Sequence, residues 1–336
     1  MAAPLLEVID LKTHFFLDDG VVRAVDGVDF TLEPGKTLCI VGESGCGKSV
    51  TAHTLMQLIP MPPGKIVGGK MLYRGGTEEV DLALLNPRSA QMRAIRGGEI
   101  GMIFQEPMTS LSPVHTVGSQ ICEVVRLHRG VGAAEAKSLA IEMLNRVKVP
   151  RPAQVFDSYP HQLSGGMRQR AMIARALSCR PKILIADEPT TALDVTVQAQ
   201  ILSLLRELQE QLGMALILIT HNLGVVAQIA DDVAVFYLGR VVEQGGVNEV
   251  FETPSHPYTR ALFASMPRLG MREKLKPITG SVPDPLTLVQ GCPFRDRCPE
   301  RHSRCEGDEV PELYRIATGQ RSRCYLHEHA GEPGHE

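Results

Sequence analysis

Gly42-Glu43-Ser44-Gly45-Cys46-Gly47-Lys48-Ser49 is the stretch that decides the fold. It matches the pattern G-x-x-x-x-G-K-[ST], it follows the apolar run of residues 38–41, and it opens the helical pattern of residues 50–58. In such a strand–loop–helix unit the glycines let backbone N–H groups turn inward around phosphate, and the next helix presents its positive end. Lys48 then neutralises the β and γ phosphates and Ser49 offers its hydroxyl to Mg²⁺. A glycine-rich turn can match eight residues by chance, but the flanking strand and helix argue against that here. Gly42, Glu43, Ser44, Gly45, Cys46, Gly47, Lys48, Ser49 and Val50 are the expected nucleotide cradle.

The same kind of apolar run recurs at residues 183–186, 215–219 and 233–237, short and continuous, as in strands buried on both faces of a parallel sheet. Between them, Val197, Ile201, Leu204, Leu208 and Leu212 share one helical face. Strand and helix therefore alternate, the mark of an α/β fold. Ahead of the phosphate loop, residues 6–15 and 21–30 alternate around Asp18-Asp19-Gly20 and predict an antiparallel hairpin. From about residue 107 to 180 the rhythm breaks, because residues 133–149 and 167–177 read as helices with no strand between them, an inserted helical subdomain. After residue 253 the chain turns proline-rich (Pro254, Pro257, Pro267, Pro277, Pro283, Pro285), which opposes long helices and central strands. The expected division is thus an ATPase domain over 1–253 and an irregular extension over 254–336.

The run ending in Asp187-Glu188 delivers two carboxylates at the C-terminal end of a strand, where α/β sheets place ligands. Asp187 is suited to assist Mg²⁺ and Glu188 to polarise water, the division of labour phosphoryl transfer needs. An acidic pair stabilising a helix start before Pro189 is the ordinary alternative, and without the phosphate loop it would be preferred.

Leu163-Ser164-Gly165-Gly166-Met167-Arg168-Gln169-Arg170 precedes an amphipathic helix with Ser164 as a natural N-cap. With this stretch the chain resembles the ABC transporter ATPases over roughly residues 5–250. It resembles their signature motif, Phe104-Gln105-Glu106 their Q-loop, Ala192-Leu193-Asp194 their D-loop and Thr220-His221-Asn222 their switch-histidine segment, all in the family's order. Singly, Gln105 could be a surface side chain, His221 a capping or core histidine and Ser164 only a cap; jointly those readings fail. The resemblance implies that Phe15, or its neighbour Phe16, stacks on adenine. It implies that Gln105 senses Mg²⁺ and the lytic water and that His221 contacts the γ-phosphate. Ser164, Gly165, Gly166 and Asp194 belong to its nucleotide site, with Ser164 and Gly166 covering ATP held by an opposite subunit. Asn222 stands where relatives often have Asp.

His256-Pro257-Tyr258-Thr259-Arg260-Ala261-Leu262 and Gly291-Cys292-Pro293-Phe294-Arg295-Asp296-Arg297-Cys298-Pro299 resemble the C-terminal extension of dipeptide and oligopeptide importer ATPases. That resemblance implies a second homologous ATPase subunit, two transmembrane permease subunits and an extracytoplasmic solute-binding protein. It also implies work at the cytoplasmic face of the cell membrane, with di- or oligopeptides as cargo. Relatives of the same architecture import oligosaccharides, nickel complexes or glutathione, and an ATPase sequence does not touch cargo. A soluble ABC ATPase of DNA repair or translation would show two cassettes or a large coiled-coil or zinc insertion, and neither is present. A vestigial ATPase with a regulatory or metal-binding role would show damage at Lys48, Glu188 or His221, and all three are intact.

Composition agrees with these expectations. Net charge is −3 with no Trp among 336 residues, which gives no basic or stacking surface for nucleic acid. The apolar runs fall far short of the roughly 20 residues that span a bilayer. The N-terminal residues carry no secretory pattern, so the expected compartment is the cytosol, where disulfides are disfavoured. Four of the eight cysteines, Cys292, Cys298, Cys305 and Cys324, nevertheless crowd into the extension. Four free thiols are the plainest reading. Zinc sites generally use tight C-x₂₋₄-C pairs, whereas the gaps here are five, six and eighteen residues. Wider loops suit a 4Fe-4S cluster, as the importer resemblance also implies, and Zn²⁺ is the alternative. Arg295, Arg297, Arg301, Arg304 and Arg323 stand nearby to offset cluster charge.

Overall fold

A computed structural model describes residues 3–105, 110–191, 193–265, 277–287, 289–316 and 320–328. Glu106, Ala192 and the expected start of the helical subdomain at residue 107 lie outside them. Twelve strands are found among the described residues. They are β1 (Leu6–Leu17), β2 (Gly20–Leu32), β3 (Thr37–Val41), β4 (Gly64–Tyr73), β5 (Val80–Asp81), β6 (Ile100–Ile103), β7 (Ile183–Asp187), β8 (Ala215–Ile219), β9 (Asp232–Tyr237), β10 (Arg240–Gly246), β11 (Tyr314–Arg315) and β12 (Arg321–Ser322). By its contacts the chain forms two compact units.

The first unit comprises Leu32–Thr37 and Leu72–Thr220 with the N-terminal residues to Leu6. Its β6, β7 and β8 run parallel, with Ile185 opposite Met102 on one side and Ile217 on the other. Every residue of β7 and β8 is buried, which explains the apolar runs of residues 183–186 and 215–219. Helices Val117–Arg129, Ala133–Arg146, Pro152–Phe156 and Gly165–Leu177 follow one another with no strand among the described residues between 110 and 180. Val195–Leu212 is an 18-residue helix that buries Ile201, Leu204, Leu205 and Leu208 along one stripe. Asp194 caps its start by accepting from Val197 N at 3.0 Å, and Gly213 ends it in the left-handed region.

The second unit comprises Glu7–Thr31, Leu38–Met71 and His221 onward. β1 and β2 form the expected hairpin about Asp18-Asp19, with β4 on the other side of β1. A second sheet in this unit runs β3, β9, β10, β12, β11; β3 and β9 are parallel, the later pairs antiparallel. The extension is more ordered than its prolines suggested. Its helix Pro257–Ala264 starts with proline at the first position, where no N–H is missed, and His256 caps it, Nδ1 accepting from Tyr258 N at 3.0 Å. Ser322 and Arg321 then pair with Glu243 and Gln244, so residues far along the chain lengthen the sheet that β3 begins. β4, β5, β6 and β10, too short or too mixed to announce themselves by alternation, were not expected from the sequence.

Candidate nucleotide site

The two sets of expected site residues lie in different units. In the second unit β3 leads into the phosphate loop, and the helix Lys48–Leu55 leaves it. The glycines are there for physical reasons. Gly42 (φ 149°) and Gly47 (φ 99°) adopt conformations that side chains resist, and a Cβ would lie 2.3 Å from the Phe236 carbonyl oxygen at one and 2.2 Å from that of Ala24 at the other. Lys48 is buried, and its ammonium donates to the carbonyls of Gly42 and Glu43, both at 2.9 Å, bending the loop around one cation. Burial raises the pKa of Cys46, with Lys48 opposing the shift. Ser49 follows Lys48 in the first turn of the helix.

Phe15 and Phe16 are adjacent on β1 and so face opposite ways. Phe15 is half-buried near Gly64, whereas Phe16 is 51% exposed. His221 is exposed just after β8, and Asn222 accepts from Gly224 N at 3.0 Å to cap the helix Leu223–Ile229. The Asn in place of Asp therefore still caps.

In the first unit β7 ends in Asp187, which is 2% exposed, and Glu188 follows in the left-handed region (φ 46°). Such a conformation is uncommon for a residue with a Cβ and is maintained by its surroundings. Glu188 N donates to Ile219 O at 2.9 Å, carrying the β7–β8 ladder one residue past the strand. Its carboxylate oxygen Oε2 accepts from the Thr191 hydroxyl at 2.8 Å and from Gln105 Nε2 at 3.3 Å. Gln105 and Glu188, 83 residues apart, are thus brought together. Thr191 went unnoticed in the sequence; the signal was its place three residues after Glu188, the reach of one turn.

Ser164 caps the helix Gly165–Leu177, Oγ accepting from Met167 N at 3.4 Å, and a Cβ on Gly166 would sit 3.1 Å from Val197. Gly165 opens that helix, so the signature segment presents small residues and free helix-start amides. Thr191, Asp194 and the Ser164 segment share one unit with Gln105 and both carboxylates.

Cys292, Cys305 and Cys324 are buried and Cys298 is half-buried. Cys292 N donates to Cys305 O at 3.1 Å. Desolvation pushes the Cys292 thiol up to about 12 and Cys324 up to about 11, with neighbouring thiols of the set adding to both rises. Even so, among the described residues no group of three or more His, Cys, Asp and Glu side chains is placed to hold a metal ion. A single zinc ion has no ready tetrahedral set, and the iron–sulfur expectation gains no metal site. All five nearby arginines donate to protein oxygens. Arg297 pairs with Glu43 and Arg323 with Asp29, Arg304 with Glu328 and Arg301 with Glu306, while Arg295 donates to Gln290 O.

Among the described residues no helix is long and apolar enough to cross a membrane. The family described as "ABC transporter" matches residues 25–191, and "Oligopeptide/dipeptide transporter, C-terminal region" matches residues 242–305. The chain is 48% identical to the oligopeptide transport ATP-binding protein AppD of Bacillus subtilis over 328 residues, covering 97% of this chain and 98% of the relative. It is 46% identical to the dipeptide transport ATP-binding protein DppD of Escherichia coli over 331 residues, covering 98% and 99%. A probable peptide ABC transporter ATP-binding protein of Sinorhizobium fredii is 50% identical over 323 residues, covering 96% and 94%. Among solved structures, the dimeric ATP-binding cassette MJ0796 bound to ADP and Pi superposes with a TM-score of 0.63 at 25% identity, covering 72% of this chain and 98% of that one.

Proposed function

The chain belongs to the ABC transporter ATPases, and from that premise we propose that it binds and hydrolyses ATP to power import of di- or oligopeptides. The hydrolytic part is carried by one observation: the Glu188 carboxylate, held by Thr191 and Gln105 at the end of a buried strand. A carboxylate so oriented accepts the proton of a water as the water oxygen bonds to the γ-phosphorus and the bond to ADP breaks. By the family resemblance Ser49, Asp187 and Gln105 would each serve Mg²⁺, whose charge would offset that of the phosphates. Gly42 to Val50 wrap the phosphates, Lys48 bridges β and γ, Phe15 stacks on the base and His221 reaches the γ-phosphate. Ser164, Gly165, Gly166 and Asp194 act across a dimer on ATP held by a second homologous ATPase.

The peptide cargo is supported by the match to the importer C-terminal region and by the printed names of the relatives. It comes with two permease subunits, an extracytoplasmic solute-binding protein and a peripheral place on the cytoplasmic face of the membrane. The division at residue 253, with a helical subdomain over about 107–180, is part of the same reading. So is a 4Fe-4S cluster on Cys292, Cys298, Cys305 and Cys324; its support is the burial of three thiols and their electrostatic influence on one another. Reconstitution of the chain with its permease partners and binding protein tests the cargo. Di- or oligopeptides should stimulate ATP turnover, and stimulation by sugars, nickel complexes or glutathione alone would reassign it.

A further inference from the structure

All three polar groups of Glu43, the second residue of the phosphate loop, have partners. Its carbonyl accepts from Lys48 Nζ at 2.9 Å, its N–H donates to the Tyr258 hydroxyl at 3.0 Å, and its carboxylate receives the Arg297 guanidinium in bidentate fashion at 2.7 and 3.0 Å. Only the first partner lies in the loop. Tyr258 and Arg297 belong to the extension, 215 and 254 residues further along the chain. We propose that Tyr258 and Arg297 are positioning residues for the nucleotide, which makes the extension part of the phosphate-binding apparatus. This rests on the nucleotide reading of the loop given above.

Charge is the first argument. A carboxylate within a loop built to receive a polyanion works against it, because like charges a few ångströms apart in a partly dry site repel strongly. Arg297 cancels that charge at short range. Its side chain is only 5% exposed and Glu43 is 27% exposed, so solvent screens the pair little. The Arg297 pKa is held above its ordinary value, first by the hydrogen bond to Glu43.

Economy is the second argument. The extension already has an apolar anchor: Phe294 and Tyr258 are fully buried, packing edge-on to one another with centroids 5.4 Å apart, and both rest on Tyr237 of β9. Buried ion pairs add little net stability, since desolvation offsets their attraction. If fastening were the whole purpose, the aromatic cluster would suffice without a guanidinium aimed at a phosphate-loop carboxylate. Geometry points the same way. Arg297 Nε donates to Thr279 O at 3.1 Å, and both terminal nitrogens donate to Glu43, with Nη1 also reaching the Tyr237 hydroxyl at 3.5 Å.

The test measures affinity for a fluorescent ATP analogue, and KM and kcat for ATP, on the full chain in its assembled complex. Arg297→Gln leaves the Glu43 charge uncompensated and should raise Kd and KM about tenfold, with kcat changed less. Adding Glu43→Gln removes the charge that needed compensation, so the double variant should return to within about threefold of wild type. Tyr258→Phe deletes one oxygen from the core and supplies an independent arm: amides of the phosphate loop should exchange hydrogen faster, those of β9 should not. Arg297→Gln within twofold of wild type, a double variant no better than the single one, or unchanged exchange after Tyr258→Phe would each overturn the proposal. Wild type that binds no nucleotide would instead overturn the ATPase reading itself.

Discussion

Replacing Glu188 by Gln separates chemistry from structure at this site. The Gln amide oxygen can take the place of Oε2, which accepts from Thr191 Oγ1 at 2.8 Å and Gln105 Nε2 at 3.3 Å, so both donors keep an acceptor. The left-handed backbone at residue 188 (φ 46°) is no harder for Gln than for Glu. Folded stability should therefore change by no more than about 1 kcal/mol, the scale of one adjusted hydrogen bond. What disappears is a charge and a proton acceptor at the attacking water. General-base contributions run from about a hundredfold upward, so the barrier should rise by at least about 3 kcal/mol. Phosphate release by the assembled complex at saturating ATP reads the rate, and size-exclusion chromatography with ATP reads the trapped dimer that should accumulate. Lys48→Ala, measured beside it, reports whether this chain's own site contributes to turnover. If Lys48→Ala abolishes turnover while Glu188→Gln keeps more than a tenth of it, Glu188 is not the base.

Ser164→Arg should cost the helix cap, about 1 kcal/mol, and should cut turnover at the composite site while binding of ATP at this chain's own Lys48 stays intact; equal loss of own-site binding would contradict a site shared between chains. Protein prepared without oxygen should be brown and contain iron, and Ser at Cys292, Cys298, Cys305 or Cys324 should bleach it; one zinc and no iron would overturn the cluster and keep the ligands. His256, fully buried and capping its helix, has its pKa lowered to about 3, first by desolvation. Because the folded form resists protonation, its contribution is complete above about pH 6.5 and is lost as pH falls toward 3, at about 1.4 kcal/mol per unit. Urea midpoints between pH 7 and 4 should show that slope, and His256→Asn, which can still accept from Tyr258 N, should flatten it.

The sequence by itself determined the phosphate loop, β3, β7, β8 and β9, the helix of residues 195–212 and the hairpin of β1 and β2. In each, the information is local. Four or five consecutive apolar residues identify a strand covered on both faces, and a glycine set plus lysine identifies a loop whose backbone must face phosphate. The Ser164 cap was legible for the same reason, since its hydroxyl bonds to an amide three residues ahead. The signature, Q-loop and switch segments were legible only through resemblance, because their chemistry depends on partners elsewhere.

Only the tertiary structure decided who those partners are. Gln105 and Glu188 come together because β6 and β7 are neighbouring strands, and Gly101, which interrupts the apolar run of β6, hid that strand. Thr191 became a site residue only once Glu188 was seen in its left-handed turn. The extension shows the limit most plainly. Its prolines forbid long regular elements but say nothing of where the chain goes, and the fold sends Tyr258 and Arg297 to Glu43 and pairs Ser322 with Glu243. Arg297 has cysteines nearby in sequence and a phosphate-loop carboxylate in space, because the pairing of two charges 254 residues apart is set by packing between them, which no local pattern records.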